Sequence, residues 1–83
     1  MSAPSPEGIA RRMEKSLPSE RREALHACAR DVGELWRLRR LSRRARDEWA
    51  NALMLWGVRR AGLTWAQAST EIITGLKENE GGQ

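Results

Sequence analysis

From Glu20 to Ala61 the chain runs without a proline, and glycine interrupts it only at positions 33 and 57. Ala, Leu, Arg and Glu dominate the stretch, and all four are good helix formers. At about 100° per residue, however, its apolar positions do not line up in one stripe. Ala24, Leu25, Cys28, Val32, Leu35 and Trp36 fall on one side. Leu38, Leu41, Ala45, Trp49, Ala52, Leu53 and Trp56 fall on another, rotated by roughly 100°. Arg39 and Arg43 stand where the first stripe would have continued. One rigid helix cannot show both stripes to a single flat partner. Either a long helix carries two faces toward two partners, or the chain turns near Arg39–Ser42 with Ser42 as the new N-cap. The second solution is preferred: a hairpin of helices over 19–39 and 42–61, although neither Gly nor Pro marks the corner.

The flanks supply clearer punctuation. Ser5-Pro6-Glu7 has the order of a helix start, with Ser as cap, Pro at the first position and Glu against the dipole. Ile9 and Met13 give that short helix its apolar side. Leu17-Pro18-Ser19-Glu20 then breaks and restarts the chain. At the other end, Arg59-Arg60-Ala61-Gly62 places cations in a last helical turn and glycine where φ turns positive. Thr64-Trp65-Ala66-Gln67 follows as a capping box. Trp65, Ala68, Ile72 and Leu76, with Ile73 alongside, stripe a final helix from Trp65 to about Lys77, with Glu71 and Thr74 facing away. No strand-like alternation and no internal repeat occurs. The expected fold is therefore all-α: three helices plus a short N-terminal fourth, built as a hairpin and a capped C-terminal helix. The 83 residues are enough for one domain, with 1–4 and 79–83 as flexible tails.

Chemistry has little to work with. A single cysteine excludes an internal disulfide, and Cys28 and His26, two residues apart on a helix, point about 200° apart and cannot share a metal. Cys28 reads as a small core residue and His26 as a solvated surface group. No phosphate-binding glycine loop, no Ser-His-Asp order and no metal-ligand spacing is present. The expectation is a protein that is not an enzyme and needs neither metal nor cofactor. No apolar run approaches the ~20 residues that span a bilayer, and the opening Met-Ser-Ala-Pro-Ser-Pro lacks the apolar core of a secretory signal. A cytoplasmic location follows as an expectation.

Arginine is the strongest departure from average, at 13 residues against two lysines in a chain of net charge +4. Seven of the thirteen lie between Arg30 and Arg46, opposed only by Asp31 and Glu34. Guanidinium forks suit phosphate and carboxylate equally. Arg43–Asp47, Arg44–Glu48 and Arg30–Glu34 have the i, i+4 spacing of solvated ion pairs. A helix-turn-helix reading of Leu53–Leu76 puts its turn at Thr74-Gly75-Leu76, but only a short acidic stretch follows, unsuited to a major groove.

Four tryptophans at helical spacing are most simply core. Yet a domain this small covers only about 60% of its unfolded surface, and Met54, Leu55 and Val58 lie outside both stripes. The excess points to a non-catalytic protein–protein interaction module that docks on a partner with an acidic surface and on a second copy of itself. Such a chain suits a small bacterial or phage-type regulator, adaptor or inhibitor that occludes a site on a larger target. Trp49, Leu55 and Trp56 are the expected apolar anchors, and Arg37, Arg40 and Arg44 the charged clamp. The rival is a basic nucleic-acid binder using Arg39, Arg43, Arg46, Arg59 and Arg60. A membrane-surface role fits less well, because acids are interspersed and the arginines occupy two ridges.

Overall fold

A computed structural model describes residues 5–81, with side chains through residue 78. Among the described residues the fold is all-α: α1 (Pro6–Lys15), a 3₁₀ turn (Pro18–Glu20), α2 (Arg21–Arg37), α3 (Arg43–Arg59) and α4 (Trp65–Gly81). The local signals act where they were read. The Ser5 hydroxyl accepts from the Gly8 N–H and the Ser42 hydroxyl from the Ala45 N–H, each at 3.1 Å. Thr64 and Gln67 exchange both bonds of the capping box, at 3.1 and 3.0 Å. Gly62 takes φ 69°. The final helix differs from expectation: it continues to Gly81 instead of fraying from Asn79. Part of the cause is visible at Glu78, whose carboxylate is held by His26 and Arg30 of α2.

The hairpin is formed, and its corner is closed by an arginine. After Leu38 the chain turns through Arg39 at φ 60°, a left-handed conformation rare for a residue with a Cβ. The Arg39 N–H bonds the Trp36 carbonyl at 2.9 Å and the Arg40 N–H reaches back to the Leu35 carbonyl at 2.8 Å. These are the paired bonds of a Schellman motif, which usually takes glycine at this position. The L side chain makes the left-handed turn costly. Arg39→Gly is therefore expected to raise stability by about 0.5–1 kcal/mol, net of the extra freedom glycine gives the unfolded chain. Thermal unfolding should move up by roughly 2–8 °C; a fall in midpoint would show that the arginine side chain itself holds the corner.

Helix α2 sits at the centre, packed by α1, α3 and α4. Its buried residues are Ala24, Leu25, Cys28, Ala29, Val32, Gly33 and Leu35, an arc of roughly half its circumference at 100° per residue. Ile9 of α1, Leu53 of α3 and Ala68 and Ile72 of α4 complete one core cluster around it. The arc is wider than the apolar stripe because its far edge is made of Ala29 and Gly33. There α4 comes close enough that a Cβ on Gly33 would meet the Leu76 carbonyl oxygen at 2.7 Å. Gly75 faces back across the same seam, where a Cβ would lie 2.7 Å from the Ala29 Cβ and 2.8 Å from the His26 carbonyl oxygen. Gly75 is thus buried mid-helix, and α4 runs straight through Thr74–Leu76, where the disfavoured helix-turn-helix reading needs a turn.

Charged pairs line both edges of α2. On one, Arg12 of α1 meets Asp31 at 3.1 Å. Partial burial nevertheless leaves the Asp31 carboxyl above its ordinary range, outweighing the arginines beside it. On the other edge Glu71 accepts from Arg22 Nε at 2.8 Å and faces His26 Nδ1 at 3.2 Å. The hydrogen bond from Arg22, more than that from His26, holds the Glu71 carboxyl below its ordinary range. Glu71, expected to face away, is turned into the α2–α4 seam instead, and His26, expected as a solvated surface group, is half-buried with both ring nitrogens against carboxylates. By linkage, Glu71 stabilises the fold above its unfolded pKa and loses that contribution as pH falls through the folded value. Asp31, raised, has the opposite sign and opposes folding once ionised.

Candidate interaction surfaces

The Schellman corner between α2 and α3 collects what had been read as two separate sets of arginines. Arg37 ends α2, Arg39 and Arg40 form the turn, and Arg43 and Arg44 open α3; all five are exposed. Arg44 pairs with Glu48 at 3.5 Å, an i, i+4 contact in which the arginine side chain keeps 90% of its accessibility. Arg37, Arg39, Arg40 and Arg43 have no carboxylate within ion-pair distance among the described residues. Leu38, 41% exposed, stands in the middle of this cationic turn. Both local bonding and the N-capped start of α3 hold its backbone in place, so the guanidinium groups project from a fixed corner.

The other arginines expected to meet nucleic acid lie elsewhere. Arg46 is half-buried with its guanidinium 4.5 Å from the centre of the Trp36 ring, a cation–π contact, and it pairs with Asp47 at 3.3 Å. Arg59 and Arg60 sit at the opposite end of α3, about 25 Å from the corner at 1.5 Å per residue. There the Arg21 guanidinium donates to the Arg60 carbonyl at 2.6 Å, tying α2 to the end of α3. The structure therefore does not gather Arg39, Arg43, Arg46, Arg59 and Arg60 on one face. It gathers Arg37, Arg40 and Arg44 with Arg39 and Arg43.

The three expected apolar anchors are also dispersed. Trp49 and Trp56 are half-buried and pack against the core cluster. Trp56 further lines a cleft of about 300 Å³ with Ala10, Met13, Arg21 and Arg60. Leu55, 38% exposed, points away from Trp56 by one residue's rotation, about 100°. Met54 and Val58, expected outside, pack against the core. Of the large apolar side chains left exposed, two belong to α4, whose stripe is expected to be core, Trp65 at 63% and Ile73 at 50%, and a third, Leu17 at 59%, lies between α1 and the 3₁₀ turn. Trp65 is the first residue of α4, one turn before the buried Ala68, and Ile73 lies on the flank next to Ala68 and Ile72. Ile73 and Leu76 border a cleft of about 260 Å³ with Gly33, Trp36, Arg46 and Ala50.

The sequence signal for this face was available: from Ala61 to Leu76 the only charged residue is Glu71, in a chain that is 31% charged. On α4 the outward side shows Ala66, Gln67, Thr70 and Thr74 and no arginine to reach a phosphate.

The two conventional reactive groups are both occupied. Cys28 is fully buried, its thiol is pushed up to about 11 chiefly by burial, and its Sγ–H points to the Ile9 carbonyl at 3.8 Å. A thiol so placed is un-ionised near neutrality and poorly nucleophilic. Both ring nitrogens of His26 face carboxylate oxygens, of Glu71 and of Glu78. Among the described residues no group of three or more His, Cys, Asp or Glu is placed to hold a metal ion, and no helix is long and apolar enough to cross a membrane. Comparison with protein-family models, with curated proteins and with solved structures returns no match for this chain.

Proposed function

We propose that this chain is a non-catalytic interaction protein of the cytoplasm that docks its α2–α3 corner on an acidic surface of a larger protein and occludes it, as a small regulator or inhibitor does. The observation that carries the reading is the clustering at one corner of four exposed guanidinium groups, Arg37, Arg39, Arg40 and Arg43, that have no carboxylate partner among the described residues, whereas Arg12, Arg22, Arg44 and Arg46 are each paired and the other arginines without a carboxylate, Arg11, Arg21, Arg59 and Arg60, lie elsewhere. Arginine is among the residues that most often anchor protein interfaces. The exposed Leu38 in their midst favours a protein over a phosphate backbone, which has no apolar group to receive it.

Nucleic acid is the alternative taker of the same charge, and salt separates the two. Four arginines that neutralise four phosphates give log K against log salt a slope of about −3.6 on duplex DNA. The chain is expected to bind a generic duplex only weakly, with that binding gone at about 200 mM salt. Capture on the tagged protein at that salt, from cells of its native host and followed by mass spectrometry, should recover a protein partner. Duplex binding that stays in the nanomolar range at that salt would overturn the reading.

A further inference from the structure

We propose that the cleft between α2, α3 and α4, beside the arginine corner, receives one apolar side chain of the corner's partner, carried on a segment whose neighbouring residues are acidic. The inference rests on the corner reading and specifies the docking segment of that partner. Trp36, Ile73 and Leu76 give the cleft its apolar walls, and Gly33 and Ala50 add so little bulk that a hollow of about 260 Å³ remains. An apolar cavity of about 150 Å³ already takes a benzene ring, so this one takes a leucine or phenylalanine side chain. It has no room for a whole helix. The walls are held in place: the Arg46 guanidinium lies 4.5 Å from the centre of the Trp36 ring, and the Gly33 seam keeps Leu76 at backbone distance from α2. A hollow formed in advance spares the ordering cost of binding.

Charge around the mouth selects the occupant. Arg46 and Lys77 border the hollow, and Asp47, the one carboxylate among its lining residues, is engaged by Arg46 at 3.3 Å. Lys77 is exposed and has no carboxylate within ion-pair distance among the described residues. The corner adjoins the cleft on two helices. Arg37 follows Trp36 in α2, and on α3 Arg43 stands seven residues before Ala50, on the same side to within about 20°. A segment lying across this side meets Arg37 and Arg43 at one end, then the apolar hollow, with Lys77 on the α4 rim. Acidic residues on that segment gain from each of these cations, and basic ones are repelled. The arrangement has the form of a binding hot spot, an apolar anchor in a pocket with polar groups around it.

The spacing constrains the segment further. Arg43 and Ala50 are about 10 Å apart along the helix axis, a span that three residues of extended chain cover at ~3.3 Å each. An acid three residues from the apolar anchor is therefore the pattern expected in the partner.

The probe is a peptide blocked at both ends, Asp-Glu-Asp-Ser-Ser-Leu-Ser, titrated to millimolar concentration into the isotopically labelled full chain. Nuclear magnetic resonance should show the leucine moving the Trp36 indole N–H and the amides of Ala50, Ile73 and Leu76. The acids should move the amides from Arg37 to Arg43. Replacing the peptide's leucine by serine should weaken binding at least tenfold, and replacing its three acids by serine should weaken it at least as much. Ala50→Leu, which fills the hollow, should erase the advantage of the leucine peptide. Ile73→Ser, at an exposed wall, should reduce that advantage at least threefold with helicity unchanged by circular dichroism.

Equal affinity for the leucine and serine peptides, with shifts confined to the corner, would overturn the cleft and leave the corner reading standing. Binding indifferent to the acids would overturn the chemistry assigned to the partner. A peptide that moves neither cleft nor corner would overturn the inference too, and partner capture then judges the corner separately. Shifts at Ala50 and Ile73 on diluting the free chain would give the hollow to a second copy, against the proposal.

Discussion

Replacing Gly75 by alanine is expected to cost the domain at least about 3 kcal/mol, most of the ~3–5 kcal/mol that a core of this size usually supplies. Helix propensity alone predicts the opposite sign, a gain of about 1 kcal/mol for alanine over glycine inside a helix. The added methyl would stand 2.7 Å from the Ala29 Cβ, 2.8 Å from the His26 carbonyl oxygen and 3.1 Å from the Arg30 amide nitrogen. Two of those atoms are backbone of α2 and cannot rotate aside, so α4 must move away as a body. That movement would open the seam flanked by Ile72, Ala29 and the Glu71 ion pairs. Unfolding by heat should shift down by roughly 15 °C or more, at 4–8 °C per kcal/mol for a chain of this length. Ala29→Gly in the same molecule removes one of the three collisions and should restore only part of the loss. An alanine variant as stable as the parent would show that α2 and α4 do not approach at backbone distance, and the account of the core given above would fail with it.

Reversing charge at the α2–α3 corner is expected to abolish partner binding without touching the fold. In Arg37→Glu/Arg40→Glu/Arg43→Glu the net charge falls from +4 to −2. All three side chains are exposed, and surface substitutions of this kind usually stay within about 0.5 kcal/mol of neutral. At position 43 a glutamate would even suit the first turn of α3, where the helix dipole favours an anion. Against an acidic partner, each reversal replaces an attraction by a repulsion; at about 1.4 kcal/mol per site the three together weaken binding by about 1000-fold. The measurement is calorimetry with the captured partner at two salt concentrations, alongside a thermal melt of the variant. Retained affinity in the triple variant would remove the corner from the interface.

How much of this was legible beforehand varies from one feature to the next. Three serine and threonine caps, the glycine at position 62 and the all-α class could be read because each depends on groups within about four residues of one another. The hairpin followed from two stripes that no straight helix can reconcile. Its closing residue did not, since Arg39 adopts a conformation that arginine gives no hint of. The arginine cluster at the corner was half visible: Arg37, Arg40 and Arg44 share helical spacing, while Arg39 and Arg43 join them only because the turn folds the two ridges onto one corner. Trp65 was misplaced by the same periodicity that placed Ala68 and Ile72 correctly, because a stripe says which side of a helix faces inward and not where along the helix burial begins.

Local chemistry along the chain therefore settled where helices begin, where they end and that they are helices. It could not settle which faces meet at closest range. An apolar pattern marks a contact by the side chains it brings, whereas α2 and α4 meet most tightly through Ala29, Gly33 and Gly75, which bring almost none. Where two backbones nearly touch, the residues that matter are those without bulk, and their importance exists only in the presence of the opposing helix.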